Sequence, residues 1–299
     1  MNKGVYLAIS KQDLTDALTF YNIKDKWYIN KCYECLENIL QNPNTIYKFN
    51  EAYKILFLDN LDRCHIKEMW KKLSIEELFG EGCLPFITNV LLLSGYTIHI
   101  KNISKYSLNN TQISLHIKRV NETLTNDIYL RNYPGIRIIK MIWGAFFINM
   151  KIIEIGILQY ELCYHNPINT HLQESCIKIH IPEGNRLYIN DVKKSINDSK
   201  VYIKQYFKLE QSNYYCISWL LSPEIHKVID NNSNIYNFYT LFNVTTSNST
   251  ANEDILEFVF KFQNCDNYAT LPENTSLQKI LKEMLLKDIP LHVGIGLLK

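Results

Sequence analysis

The sequence predicts an α+β protein, with a helical N-terminal domain over residues 1–150 and an α/β C-terminal domain over residues 151–299. Three observations predict this. Apolar residues recur at helical spacing up to about residue 150, and strict alternation replaces that period directly afterwards. A strand–helix–strand order between 176 and 221 then implies a parallel pair of strands. A chain of 299 residues, 46% apolar and 21% charged, can bury a sizeable core and is long enough for two domains.

The elements follow in order. DLTDALTFYNI opens with an Asp cap, and KWYINKCYECLENIL carries an apolar stripe. PNTIYKFNEAYKILF and SIEELFGEG continue in the same style. Pro85 opens an apolar helix that ends near Gly95. NNTQISLHIKRVNETLTNDIYL is helical until Pro134-Gly135 breaks it, and IRIIKMIWGAFFINM resumes. KIIEIGILQYELCYH alternates and reads as two short strands bending near Gly156. CIKIHI is the next strand, with Ile177, Ile179 and Ile181 on one face and Lys178 and His180 on the other. The helix 190–207 stacks Val192, Ile196, Ile203 and Tyr206 or Phe207, with Asn190 or Asp191 as cap. YYCISWLL reads as a strand buried on both faces. SPEIHKVI is a short helix capped by Ser222, and NIYNFYTLFNVTT is a further strand. NEDILEFVFKF and NTSLQKILKEMLLK are helices, the second capped from Asn274 or Thr275, and VGIGLLK closes the chain.

Composition excludes several classes. The net charge of +2 comes with Lys and Arg spread along the chain, so no nucleic acid is expected as partner. LPFITNVLLLSGYTIHI and MIWGAFFINM are too short or too interrupted to span a bilayer, so no membrane association is expected. MNKGVYLAISKQDL lacks a signal-peptide core, and eight cysteines then point to reduced thiols in a cytoplasm. Sequons such as Asn121-Glu122-Thr123 reflect Asn abundance. Cys32 and Cys35, with Cys64 and His65, are the one candidate zinc set. A second CxxC or HxxxH is missing, so no metal is expected and packed thiols on a helix are the favoured reading.

The turn IHIPEG, between a strand and a helix, raises the question of function. A helix N-terminus beside a strand's carboxyl end is an anion position, and Gly184 would let a phosphate approach the backbone. A plain structural turn uses the same residues, so both readings stand on the residues alone.

LQYEL, IHIPEG, CISWLLSPE, the NSNI run, LPENTSLQ and the terminal GIGLL, in this order, resemble a family of bacterial acyltransferases. These have a helical N-acyltransferase N-terminal domain and a GNAT-like C-terminal domain with a mixed sheet. The resemblance covers 151–299 closely and the helical half by layout. It implies acyl transfer from acetyl-CoA or another acyl-CoA to an amine, with a small-molecule substrate. In GNAT enzymes the backbone of the strand before the pyrophosphate loop holds the pantetheine arm. Ile179 and Ile181 fall on that strand here, and Glu183, Gly184, Asn185 and Arg186 fall on the loop. YYCISWLL would splay from CIKIHI. The chain departs from the GNAT pattern in lacking its glycine-rich loop, and acidic Glu183 and Asp191 stand where an anion would bind.

Acyl transfer to an ammonium needs a base and a proton donor to the leaving thiolate. Glu161 and His180 occupy polar positions on strands that should be neighbours, and this pair is the candidate base. Pairing of Glu161 with Lys178, and a buried hydrogen bond for His180, is the structural alternative. Tyr214, Tyr215 and Tyr239 are candidate donors among twenty tyrosines. Cys216 has no matched His and reads as a packed thiol. Trp219 reads as core. Gly294 and Gly296 serve either close packing or substrate access. Two other function classes remain: a GNAT-like module without CoA binding that recognises a small molecule or protein, and a zinc- or redox-responsive protein built on Cys32 and Cys35.

Overall fold

The structure, a computed structural model, describes residues 7–59, 61–79, 84–166, 173–209, 212–262 and 265–299. The chain divides into two compact units, Met1–Ile153 and Glu154–Lys299.

The first unit is helical. Its helices are α1 (Lys11–Phe20), α2 (Lys26–Leu40), α3 (Pro43–Phe57), α4 (Arg63–Lys72), α5 (Ile87–Leu93), α6 (Tyr96–Lys105), α7 (Asn110–Arg131) and α8 (Ile138–Ile148). Polar caps punctuate them. Ser10, rather than Asp13, caps α1, and Asp13 completes the capping box from the third helical position. Asp25, Asn42 and Asp62 cap α2, α3 and α4, and Asn109 with Gln112 makes a second box on α7. The core runs from Leu14 and Tyr28 through Phe49 and Trp70 to Phe147. Asn89 and Asp127 are among the polar groups sealed inside it. Asn89 Nδ2 donates to the Tyr28 hydroxyl at 2.6 Å, and Asp127 accepts from Arg131 and from both the backbone and guanidinium of Arg137 at 3.0–3.1 Å. Cys32 and Cys35 are buried on α2, where burial pushes the Cys35 thiol up to about 12. The side chain of Cys64 lies outside the described ones.

The second unit is a six-stranded mixed sheet with helices. Its elements are β1 (Ile152–Ile155), β2 (Leu158–His165), β3 (Gln173–His180), α9 (Ile189–Phe207), β4 (Asn213–Ser218), α10 (Pro223–His226), α11 (Asn234–Tyr239), β5 (Phe242–Thr250), α12 (Asn252–Ile255), α13 (Ser276–Leu286) and β6 (His292–Leu298). The strand order is β1-β2-β3-β4-β6-β5. β3 and β4 are parallel, joined by α9, while β2–β3, β4–β6 and β6–β5 are antiparallel. α9 buries Val192, Ser195, Ile196, Ser199 and Ile203. Ser195 Oγ meets the Tyr160 hydroxyl at 2.8 Å, so α9 covers the sheet face that carries Tyr160.

Four local expectations change. NIYNFY is a helix and not a strand, because Ser233 Oγ accepts from Tyr236 N at 3.1 Å and nucleates a turn; the strand starts at Phe242. β4 stops at Ser218, whose side chain accepts from Leu220 N and turns Trp219–Leu221 into a 3-10 turn. It is not buried on both faces, since Ile217 is 40% exposed. α9 begins earlier than expected, after Tyr188, and Asn190 and Asp191 lie exposed in its first turn. Thr275 caps α13 with a capping box to Gln278.

Candidate active site

Strand alternation and register decide which side chains meet. Gln159 is opposite His180, Tyr160 opposite Ile179, and Glu161 opposite Lys178. Gln159, Glu161, Lys178 and His180 therefore share one face of the sheet, and Tyr160, Ile177 and Ile179 turn to the other, toward α9. Glu161 is 6% exposed, and its Oε2 accepts from His180 Nε2 at 2.7 Å. The hydrogen bond thus runs diagonally to His180 and not straight across to Lys178. Gln159 is also buried and donates through Nε2 to Glu154 Oε2 at 2.8 Å.

The parallel register places this pair near the end of the β3–β4 ladder. β3 and β4 pair from Cys176–Asn213 to Ile179–Cys216, and the pairing ends there. β4 continues through Ile217 and Ser218, paired to Ile295 and Gly294 of β6, while β3 ends at His180. The two strands part at their carboxyl ends, and His180 stands at the parting.

The chain then turns. Asn185 N donates to Pro182 O at 3.4 Å, and Asn185 Nδ2 ties the turn to Ile157 O at 2.8 Å. Gly184 has a φ of +85°, and a Cβ there would meet nothing within 4 Å. The backbone is thus bare at the point where the chain enters α9. Tyr188 precedes α9 in an extended conformation, and no side chain caps the helix among the described residues. Its first amides therefore have no capping side chain, and the positive end of a helix dipole favours an anion there. Glu183, acidic at this end, is ion-paired with Lys261. Arg186 Nη1 donates to the Tyr188 hydroxyl at 3.1 Å, and both side chains are exposed.

The other candidates separate. Tyr214 lies on the α9 face, its ring 6.2 Å from that of Tyr160. Tyr215 is on the same face as Glu161, and its hydroxyl accepts from Asn166 Nδ2 at 3.0 Å. Tyr239 stacks on His226 at 3.7 Å between centroids. Cys216 is fully buried and its thiol is pushed up to about 12 by burial. Trp219 is buried. Gly294 and Gly296 are packing positions: a Cβ at Gly294 would lie 2.0 Å from Leu221 O. Among the described residues no group of three or more His, Cys, Asp or Glu is placed to hold a metal.

Sequence reasoning missed one cluster. Glu224 accepts from Ser222 Oγ at 2.7 Å and from His292 Nδ1 at 3.1 Å, and hydrogen bonds from Ser222, the backbone and His292 hold its carboxyl below the usual range despite burial. No periodic signal joins residues so far apart in the chain.

With this geometry in place, the comparisons are clear about fold. Residues 152–298 match the GNAT-like C-terminal domain family. No curated protein matches the chain. Among solved structures, an acyltransferase in complex with decanoyl-CoA and teicoplanin aligns at a TM-score of 0.74 and 15% identity, over 100% of this chain and 91% of that one. An acyltransferase in complex with decanoyl-CoA gives 0.72 and 16%, over 99% and 90%. An acyltransferase in complex with CoA and 10C-teicoplanin gives 0.67 and 15%, over 100% and 91%. At these identities the likeness is one of fold. A helical N-terminal region thus precedes residues 152–298, which match the GNAT-like C-terminal domain family, and the chain shares the fold of these solved structures.

Proposed function

We propose that the protein transfers an acyl group from acyl-CoA to the amine of a small-molecule acceptor. The observation that carries this reading is the parting of β3 and β4 at Ile179–Cys216, with the Glu161–His180 pair beside it and the uncapped α9 beyond it. The residues fit an acyl-CoA chemically. Backbone groups of Ile179 and Ile181 would hold the pantetheine arm. The segment Glu183, Gly184, Asn185 and Arg186 would present amides to the pyrophosphate, with Lys261 neutralising Glu183. Residues 1–150 would be the N-acyltransferase-type N-terminal domain.

Glu161 acts in this reading as the base, directly or through one water. It takes the proton of the acceptor ammonium, and the free amine then attacks the thioester carbonyl. His180, hydrogen-bonded to the same oxygen, shares that proton and keeps the carboxylate oriented. The nitrogen of the tetrahedral intermediate gives up its second proton, the C–S bond breaks with its electron pair on sulfur, and that proton reaches the leaving thiolate through a neighbouring donor or water.

Isothermal titration of the folded protein with acetyl-CoA and longer acyl-CoAs tests the donor; binding of at least one is expected. Silence with all of them would favour a GNAT-like module that recognises a small molecule or protein without CoA. The acidic Asp191 in the first turn of α9 is the observation on that side.

A further inference from the structure

β2 and β3 carry a feature that acyl transfer does not use. Cys163 and Cys176 are register partners on the antiparallel pair, and they lie on the same face as Glu161 and His180. Their thiols interact with each other, and the Cys163 S–H donates to Glu161 O at 3.7 Å. The register slips immediately after Cys163, so this pair ends the regular ladder. Cys163 is half-buried and Cys176 fully buried, and neither is in a disulfide.

From this juxtaposition we infer that Cys163 and Cys176 are a reversible oxidation site, closing to a cross-strand disulfide on exposure to a peroxide. Directly opposed residues of an antiparallel pair have Cα atoms about 4.5 or 5.5 Å apart, depending on their hydrogen bonding. Either spacing falls within the roughly 4.4–6.8 Å that a disulfide spans. Closure therefore needs side-chain rotation and no strand movement, and the irregularity next to Cys163 gives the backbone slack.

The local electrostatics favour the reaction. The Cys163 thiol and, more weakly, the Lys178 ammonium hold the Cys176 thiol below its ordinary value against its burial, while the same contact and burial push the Cys163 thiol up. The half-buried Cys163 gives a small oxidant its way in. In the first step a thiolate of the pair attacks one peroxide oxygen, and the O–O bond breaks. Hydroxide leaves and takes the second thiol's proton as water, leaving a sulfenic acid on the first sulfur. The second sulfur, now a thiolate, attacks the sulfenic sulfur. The S–S bond forms and hydroxide departs. Each sulfur gives up one electron, and the two electrons reduce the peroxide. The helical pair Cys32 and Cys35 contrasts with this site: burial raises both of its thiols, whereas here Cys163 is raised and Cys176 lowered.

The experiment is a hydrogen peroxide titration of the reduced full-length protein, followed by alkylation, intact mass and peptide mapping. A loss of two hydrogens is expected, with a Cys163–Cys176 cross-link formed before any Cys32–Cys35 link and reversed by a thiol reductant. Cys163→Ser and Cys176→Ser should each abolish the cross-link and that early mass loss. Recovery of both cysteines alkylated after peroxide treatment would overturn the inference. Persistence of the early mass loss in either serine variant, or oxidation that reductant does not reverse, would do the same.

Discussion

The two units each bury a carboxylate, and they give it opposite partners. In the helical unit Asp127, 2% exposed, is held by Arg131, the Arg137 guanidinium and the Arg137 amide. Its partners are permanently charged or non-titrating, so the group is fixed as an anion and serves as scaffold. In the sheet unit Glu161 is 6% exposed and bonded to an imidazole, at the edge where two strands part. A partner that can itself gain or lose a proton leaves the carboxylate able to exchange one. In the proposed reading, what would separate scaffold from chemistry is whether the partner titrates, since burial does not tell the two apart.

The sharpest test of that distinction is Glu161→Gln, which keeps volume and removes the base. Turnover with a productive acyl-CoA and amine pair should fall about a hundred- to ten-thousandfold with acyl-CoA affinity nearly unchanged. Near-normal turnover would remove Glu161 from the chemistry. Asp127→Ala should act on the other axis. It should cost about 3 kcal/mol of stability in denaturant titration, with kcat of the surviving folded protein retained. A loss below about 1 kcal/mol would mean that the arginines do not depend on it.

The next effect is in pH. His99 is buried in the helical unit with Nδ1 against the Tyr21 hydroxyl at 3.0 Å, and burial, with His116 nearby, lowers it to about 3. The unfolded chain takes up a proton below about 6.5 that the folded one refuses. Stability should therefore fall as pH drops from about 6.5 toward 3, by up to about 1.4 kcal/mol per unit. His99→Phe, whatever its absolute stability, should flatten that slope by one proton. An identical slope would assign the effect to other groups. Smallest is Gly184→Ala. The added Cβ meets open space, so the cost should be about 1 kcal/mol, from the positive φ alone. A larger loss, read by thermal unfolding, would mean that the turn is packed against something.

The same contrast shows why some features were legible in the sequence. Strand parity put Glu161 and His180 on polar positions of β2 and β3, since alternation survives any tertiary arrangement. The stripe of α9 and the bend at Gly156 were readable for the same reason. NIYNFY was not, because six aromatic-rich residues fit either period and the deciding bond comes from Ser233. The start of α9 was misplaced because Tyr188 is not a capping residue. Glu224 and His292 meet only through the fold, and no local pattern announces such a pair. Lys261 reaches Glu183 in the same way.

The contact between Gly294 and Leu221 has a consequence for how this sheet can vary. The carbonyl of Leu221 occupies the volume where any other residue at 294 would keep its Cβ. The backbone after β4 and the composition of β6 are therefore one choice and not two. A protein on this plan with a side chain at the equivalent of 294 must carry the segment beyond its β4 along another path. That single position thus forecasts, from the far end of the chain, the course of the loop that follows the parting strands.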